Sequence, residues 1–525
     1  MKDYQNHEKN IMNFFEYKPL DKFEERLQYL NEKSFKRQDL AETLHKINKD
    51  WDASPQTLNN IERLKDEQSV VVIGGQQAGI LSGPMYTINK IISIIKLAKQ
   101  QEEKLNIPVV PIFWIAGEDH DFLEVNHIHV MDLPEIKKHP INQYVEERTP
   151  VSEIEIDQDK AKQWIDEVFL YLRESMYSKE VYKQVHQCLS KSKTYVDFFA
   201  QFINLLFEKD GLVLIDSNNP LIRQIESEYF VKLINEQEVV SKEIYHTTHL
   251  VRQAGYELTI EPEIEDAHLF YHLKKERILL TRTEDGLWEG KQEEIKFTTE
   301  EMLAIAKNNP ERLSNNVVTR PLMQDMLFPT LAFVGGWGEI SYWSVLRGAF
   351  QCLNMKMPPV VPRLSFTYVE PKIAKLMEKY SLKYERILSR GVSKERINWI
   401  NSQSTYPTDI LSEQIKKDID ELHKPLRKIA EKVNPNLKEM SESNLYFIYD
   451  KIDFLVNSIK KEVEKKYEKN LVDFSFIQLS LFPNHLLQER IFNPIYFLNH
   501  FGSNFIDQLI EQKCSFREDH FLVFL

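Results

Sequence analysis

The sequence has 525 residues, of which 42% are hydrophobic and 28% charged, with a formal net charge of −13 and an isoelectric point of about 5.7. That balance fits a soluble globular protein of several domains and argues against a dominant basic face for tRNA or DNA. Three cysteines, Cys188, Cys352 and Cys514, lie too far apart for a CxxC zinc site or a disulfide framework and suit a reducing compartment.

The opening Met1-Lys2-Asp3-Tyr4-Gln5 is polar, and no apolar run approaches the roughly 20 residues that span a bilayer. A cytoplasmic protein with no membrane or nucleic-acid partner is expected. Residues 18–65 show helical periodicity, first through Phe23, Leu27 and Leu30, then through Leu40, Leu44 and Ile47. An apolar strand, Val70 to Ile73, stops at Gly74-Gly75-Gln76-Gln77-Ala78-Gly79 and leads into a helix carrying Ile88, Ile91, Ile92 and Ile95. A second buried strand, Val109 to Ile115, ends in Gly117-Glu118-Asp119-His120-Asp121. Two strands of a βαβ unit thus end in polar clusters, where ligands sit in open α/β sheets.

Asn126 to Val130 alternates like a strand, and 132–151 reads as an inserted loop or hairpin. Helical patterning over 161–209 leads through Gly211 into the strand Leu212 to Ile215, with a polar end at Asp216-Ser217-Asn218. Residues 249–287 suggest a small β insertion. Val317 to Pro321 and Leu331 to Glu339 have sheet-like character, and Pro358 to Arg363 resembles a further strand end. From Asp409, Leu411, Ile415, Ile419, Leu422, Leu426, Ile429 and Val433 are spaced by threes and fours. After Asn434-Pro435-Asn436 a second series runs from Leu445 to Val463, which predicts an antiparallel coiled-coil hairpin with a kink or local break at Pro425.

The expected organisation is a helical segment over 1–66 packing on the core and a doubly wound α/β core over 67–395. The core carries insertions near 132–200 and 245–300. A helical hairpin spans 396–473, and 474–525 returns to the core.

Several clusters carry chemistry. The Gly74, Gly75, Gln76, Gln77, Gly79 turn gives backbone N–H groups close access to a ligand, or else makes a tight βα connection. It continues Ile80-Leu81, so the Lys-Ser/Thr of a P-loop is missing, and its spacing is not GxGxxG. Glu118, Asp119, His120 and Asp121 suit a substrate ammonium, Mg²⁺ or general-base work, or form a solvated capping turn. His127 and His129 share a strand face, a pattern more often of satisfied histidines than of ligands, and no metal is expected. Arg320, after Asn316, suits a carboxylate or phosphate, or a structural ion pair. Glu339 closes a Gly-Gly-Trp-Gly-Glu turn. Near the C-terminus, Arg490, Asn493, Tyr496 and His500 form a polar, aromatic group that is either a second ligand site or packing.

At these residues the chain resembles the bacillithiol-synthesis cysteine-adding ligase family, BshC. The resemblance rests on Val71 to Gly79, Phe113-Trp114-Ile115-Ala116-Gly117-Glu118-Asp119-His120-Asp121-Phe122, Ser314 to Met323 and Leu487-Gln488-Glu489-Arg490, spread over nearly the whole chain. One departure is Trp337-Gly338, where relatives usually carry Pro and a small residue. The resemblance implies a Rossmann-like core with connective insertions and a coiled-coil domain used in homodimerisation. It implies the last step of bacillithiol synthesis, in which cysteine is joined through an amide to the glucosamine nitrogen of glucosaminyl-malate. It also suggests an adenine-nucleotide site, for ATP or a relative, near the C-terminal region at Arg490, Asn493, Tyr496 and His500. In this reading His120, with Glu118, Asp119 and Asp121, is catalytic. Trp114, Asn316, Arg320, Glu339 and the glycine turn bind substrate. The rival expectations are another nucleotidyl-transferring or amino-acid-activating enzyme on the same core, and a coiled-coil scaffold.

Overall fold

The computed structural model describes residues 2–146, 148–403 and 407–525. The chain divides into two compact units, Met1–Thr367 with Glu489–Leu522, and Tyr368–Gln488 with Val523–Leu525. In the first unit, five strands form one sheet: β1 (Val70–Gln76), β2 (Val109–Ile115), β3 (Val213–Asp216), β4 (Thr330–Gly335) and β5 (Val360–Pro362). Their order is β5-β4-β1-β2-β3, and every pairing is parallel. The strands are near-continuous apolar runs because helices cover both faces of the sheet. The chain winds outward from β1 to β3, then crosses back to β4 and β5. The switch point therefore lies between β1 and β4, where their carboxyl ends diverge into a crevice.

Helix α1 (Met85–Leu105) follows β1 and buries Ile88, Ile91, Ile92, Ile94 and Ile95 completely. A Cβ at Gly74 would lie 2.6 Å from the Val334 carbonyl oxygen and 3.1 Å from Ile94 Cδ1. The N-terminal helices are pinned to the sheet by polar groups. Fully buried Arg26 donates to Thr330 O (2.9 Å), Lys356 O (2.6 Å) and Asp325 Oδ1 (2.6 Å). Asn48 donates to Leu214 O (2.8 Å) and accepts from Leu214 N (3.0 Å), which satisfies the open edge of β3.

The first insertion is the antiparallel hairpin His127–Asp132 with Glu135–Pro140. The helical run expected over 161–209 is three helices, Gln158–Tyr171, Ser178–Lys191 and Tyr195–Leu206. The third starts at a Thr194–Asp197 capping box. The second insertion is a five-stranded sheet in the order Leu313–Asn315, Asp266–Leu273, Glu276–Arg282, Trp288–Gly290, Lys296–Phe297. It differs from the expected 249–287 strand region, because His249 lies in the helix Gln237–Gln253 and the sheet extends beyond Leu287. Val317 to Pro321 is not sheet-like either. Asn316 Oδ1 accepts from Val318 N (2.8 Å) and Thr319 N (3.1 Å), and this turn starts the helix Thr319–Leu327. Likewise Leu331 to Glu339 is strand only to Gly335, and the helix Trp337–Trp343 begins just beyond.

In the second unit, Thr408–Val433 and Leu437–Lys466 form the expected helical hairpin. Pro425 lies inside the first helix without ending it. The facing surfaces are more polar than the spacing implied, with Lys416 bonded to Asp453 (2.5 and 2.7 Å) and His423 to Asn444 (3.0 Å). The apolar stripe of the first helix points outward instead, with Leu422 80% and Leu426 60% exposed, whereas Leu445 of the second helix is buried. Among the described residues, no helix is long and apolar enough to cross a membrane.

Gly74→Ala should destabilise the protein by about 2 kcal/mol in denaturant unfolding, since strand β4 and Ile94 leave no space for a methyl; an unchanged midpoint would contradict the close approach. His272 gives the fold a dependence on pH. It is buried in the inserted sheet, where burial and then Arg223 and Arg277 push its pKa down to about 3. A histidine depressed in the folded state binds fewer protons folded than unfolded. Its contribution is therefore present above about pH 6.5 and is lost as pH falls below it, by up to about 1.4 kcal/mol per pH unit. Buried Asp216 and Asp325, both pushed up to about 6, titrate in the opposite sense. The difference between wild type and His272→Asn isolates the effect, and wild type should lose more stability than the variant between pH 6.5 and 4.5.

Candidate active site

At the switch point, β1 ends in Gly74-Gly75-Gln76 and β4 in Gly335. Gly75 is obligatory there, because a Cβ would lie 2.5 Å from Trp114 O and 2.9 Å from Trp114 Cβ on β2. Trp114 is fully buried and its Nε1 has no hydrogen-bond partner among the described residues, so it forms the floor of the sheet rather than an open wall. Lys90 of α1 carries the centre of this region. Its ammonium is 1% exposed and donates to Gly75 O (2.6 Å), Gln76 Oε1 (3.0 Å) and Glu339 Oε2 (2.5 Å). Burial lowers its pKa and the Glu339 carboxylate opposes that. Glu339 Oε2 also accepts from Gly336 N (2.7 Å), which caps the helix Trp337–Trp343.

Arg320 stands on the same crevice. Its Nη1 donates to Gln324 Oε1 (3.0 Å) and its Nη2 to Tyr342 OH (2.6 Å), and its guanidinium lies 5.4 Å from the Phe333 ring centre. All three partners are neutral. Tyr86, the second residue of α1, sits within electrostatic reach of Glu124, Arg490, Arg363 and Glu339, and burial raises its pKa. Arg363 is buried and bound bidentately by Glu489 at 2.9 and 2.7 Å. Glu489 also accepts from Asn89 (2.6 Å) and Ser365 (2.8 Å); Arg363 above all, then these bonds, hold its carboxyl below the usual range against the cost of burial.

The end of the glycine turn and the loop after it are held by backbone bonds. Gly79 N donates to Gln77 O (3.0 Å), Gly83 N to Ile80 O (3.0 Å) and Met85 N to Phe492 O (2.8 Å). Leu81, Ser82 and Gly83 all adopt positive φ and are held there by Asn493, whose Nδ2 donates to Leu81 O (3.0 Å) and Gly83 O (2.7 Å). Asn493 thus shapes the loop, and its amide hydrogens are spent. Tyr496 lines a small, partly open apolar cavity with His129, Tyr171 and Phe492. His500 Nδ1 lies 2.8 Å from Tyr496 O, one helical turn before it.

A second cluster sits at the ends of β2 and β3. Gln77 joins it to the first, since its Nε2 donates to Asp119 Oδ2 (2.6 Å) and Glu124 Oε2 (2.8 Å). Glu118 is buried in an ion pair with Arg223, which also holds Glu226 (2.8 Å). Asp121 caps a short helix through Glu124 N (3.2 Å). His120 is half-buried. Its Nδ1 lies 4.0 Å from Asp119 Oδ1, beyond hydrogen-bond reach, and has no partner among the described residues. Burial, then Arg277, keeps its pKa below the ordinary value, so the imidazole is neutral at pH 7 and able to accept a proton. Arg277 reaches in from the inserted sheet, stacked 3.8 Å over Phe270, and donates to Ser314 Oγ (3.1 Å) and Asn315 O (2.6 Å) with Asp119 Oδ1 at 3.8 Å. Asn316 is taken up by its turn and by His268 (3.1 Å). Among the described residues, no group of three His, Cys, Asp or Glu side chains has a metal-holding arrangement.

Gln76, Arg320 and Glu339 therefore share the switch-point crevice, and Asp119 and His120 adjoin it through Gln77. Sequence reasoning missed Lys90, Arg277 and Arg363. Lys90 left one readable trace, a charge on the apolar stripe of α1 with Ile94 and Leu97 at i+4 and i+7. Arg277 left none.

With this geometry in hand, comparison with known proteins is specific. Residues 1–364 match the family model "Bacillithiol biosynthesis BshC, N-terminal Rossmann-like domain", and 366–525 match "Bacillithiol biosynthesis BshC, C-terminal coiled-coil domain". A protein of Oceanobacillus iheyensis named "Putative cysteine ligase BshC" is 42% identical over 529 aligned positions, covering 100% of this chain and 97% of that protein. Proteins of the same name from Bacillus cereus strain Q1 and Bacillus anthracis strain CDC 684 are each 39% identical over 522 positions, covering 99% of this chain and 97% of theirs. A Rossmann-like parallel sheet, a helical hairpin and full-length similarity of this order converge on one conclusion: the chain belongs to the BshC family of bacillithiol biosynthesis.

Proposed function

We propose that this protein is the ligase that completes bacillithiol, joining the carboxyl group of L-cysteine to the amine of glucosaminyl-malate as an amide. The observation that best supports this reading is Arg320, a half-buried guanidinium at the switch point whose partners are Gln324, Tyr342 and the Phe333 ring. A guanidinium without a counter-carboxylate among the described residues, in such a place, is matched to an anionic ligand, and malate supplies two carboxylates. Gln76 and Glu339 line the same crevice and provide a donor and an acceptor for the sugar-acid. Gly74, Gly75 and Gly79 keep the wall low enough for it to approach. Because Gly79 N–H is spent within the chain, this reading gives charge recognition to side chains.

A free carboxylate does not acylate an amine at neutral pH, so the reaction requires activation. An adenine nucleotide such as ATP would supply it: the cysteine carboxylate oxygen would bond to the α-phosphorus, the α–β phosphoanhydride would break, and pyrophosphate would leave, giving an acyl-adenylate. Arg490 beside Tyr86, with Tyr496 and His500 further on, is the proposed nucleotide side. The amine then attacks the acyl carbon, the adenylate oxygen leaves with its electron pair, and the amine loses a proton. Neutral His120 takes that proton, and the Asp119 and Asp121 carboxylates stabilise the imidazolium that forms. Glu118 serves through its pair with Arg223, which fixes the Gly117–Asp121 turn.

We also propose that the outward apolar stripe of the hairpin is covered by a second copy of the chain. A helix face with Leu422, Leu426 and Ile429 this exposed is costly in water, and the hairpin's own interface is already made by Lys416, Asp453, His423 and buried Leu445.

Assayed with purified components, Arg320→Met should raise KM for glucosaminyl-malate about 100-fold with KM for cysteine little changed. His120→Ala should lower kcat about 100-fold or more with KM nearly intact. Wild-type turnover in either variant would remove that residue from the mechanism. In sedimentation, Leu422→Glu/Leu426→Glu should be monomeric where wild type is dimeric; a dimer that persists would place the interface elsewhere.

A further inference from the structure

Lys90 has a role beyond this assignment, one that rests on the reading of the switch-point crevice as the substrate site. A lysine ammonium only donates, and all three of its hydrogens are used here, on Gly75 O, Gln76 Oε1 and Glu339 Oε2. It therefore touches no ligand. It does determine which way the Gln76 amide faces. Only the oxygen of that amide can meet Lys90, so the NH₂ group must point the other way. Gln76 is partly exposed, and its Nε2 is not buried and has no acceptor among the described residues. Its two hydrogens face the crevice.

The charges on the same wall fit this arrangement. Lys90 and Arg320 carry two positive charges against the single carboxylate of Glu339, while Arg363 is neutralised by Glu489. Lys90 cancels Glu339, leaving the charge of Arg320 unopposed beside an outward-facing amide. We infer that Lys90 is a positioning residue: by holding Gln76 Oε1 and neutralising Glu339, it makes Gln76 Nε2 the second donor, beside Arg320, to a carboxylate of the substrate. Without Lys90 the amide could turn over and present its oxygen to the anion, and Glu339 would repel it.

Three changes separate this role from simple structural support. Gln76→Glu keeps a partner for Lys90 but places an oxygen where the NH₂ stood. Gln76→Leu removes the donor. Lys90→Met/Glu339→Gln removes the buried charge pair together, so neither charge is left uncompensated, and the new glutamine still accepts from Gly336 N–H. Binding of glucosaminyl-malate, and separately of L-malate, is measured by calorimetry on the full chain, with thermal midpoints recorded for every variant. Gln76→Glu should weaken binding about 100-fold while remaining folded, as one charge-assisted hydrogen bond becomes a repulsion. Gln76→Leu and Lys90→Met/Glu339→Gln should each weaken it about 10-fold. The triple variant Gln76→Leu/Lys90→Met/Glu339→Gln should be no weaker than either, because both changes act through one amide.

Multiplicative losses in the triple variant, or wild-type affinity in Gln76→Glu, would overturn the inference while leaving the substrate site standing. If Lys90→Met/Glu339→Gln does not fold, the decision passes to Gln76→Glu alone. A wild-type protein that binds neither probe would overturn the substrate assignment and this inference together.

Discussion

A buried ammonium is tolerated only where acceptors replace the water it has lost, and at Lys90 the three acceptors come from two distant parts of the chain. Two belong to the end of β1, the Gly75 carbonyl and the Gln76 side chain, and the third is the carboxylate that caps the helix after β4. The two halves of the sheet part at this place, where the backbone would otherwise leave unpaired groups facing a crevice. The lysine holds the two strand ends in register and leaves the crevice lined by Gln76, Glu339 and Arg320. Arg363 with Glu489 repeats the device a short way along, tying the C-terminal segment to β5 and to Asn89 of α1.

The insertions serve the same centre. The five-stranded sheet sends Arg277 toward Asp119, and its strand Leu313–Asn315 leads directly into the Asn316 turn that launches Arg320. The Glu118–Arg223–Glu226 group lies under the Gly117–Asp121 turn and is wholly buried. The acidic cluster is thus divided by burial into parts with different work. Glu118 is a strut, Asp121 a cap, Asp119 a hub for Gln77 and Arg277, and His120 a half-buried imidazole whose Nδ1 has no partner among the described residues.

Much of the framework was legible because it is local. Val70 to Ile73, Val109 to Ile115 and Leu212 to Ile215 are apolar runs ended by glycine or charge, and each forms a strand of the parallel sheet. Val317 to Pro321 was misread because Val-Val-Thr favours strands, and the side chain of Asn316 overrode that preference. The hairpin was found by its period. Which face of each helix packs inward was not, since two helices with one apolar stripe apiece can turn those stripes toward each other or toward a second pair. Lys90 and Glu339 are 249 positions apart, and no local pattern carries a partnership at that distance. The same holds for Arg277, an ordinary strand residue until the sheet places it against Asp119.

Whether the crevice between β1 and β4 receives the acidic sugar substrate is tested most directly by a crystal structure of the protein with glucosaminyl-malate, cysteine and a non-hydrolysable adenine nucleotide. The expected result is a malate carboxylate on Arg320 and Gln76 Nε2, with the glucosamine nitrogen on the His120 side of the crevice. Malate density elsewhere, for instance in the apolar cavity beside Tyr496, with Arg320 still on Gln324 and Tyr342 alone, would contradict it.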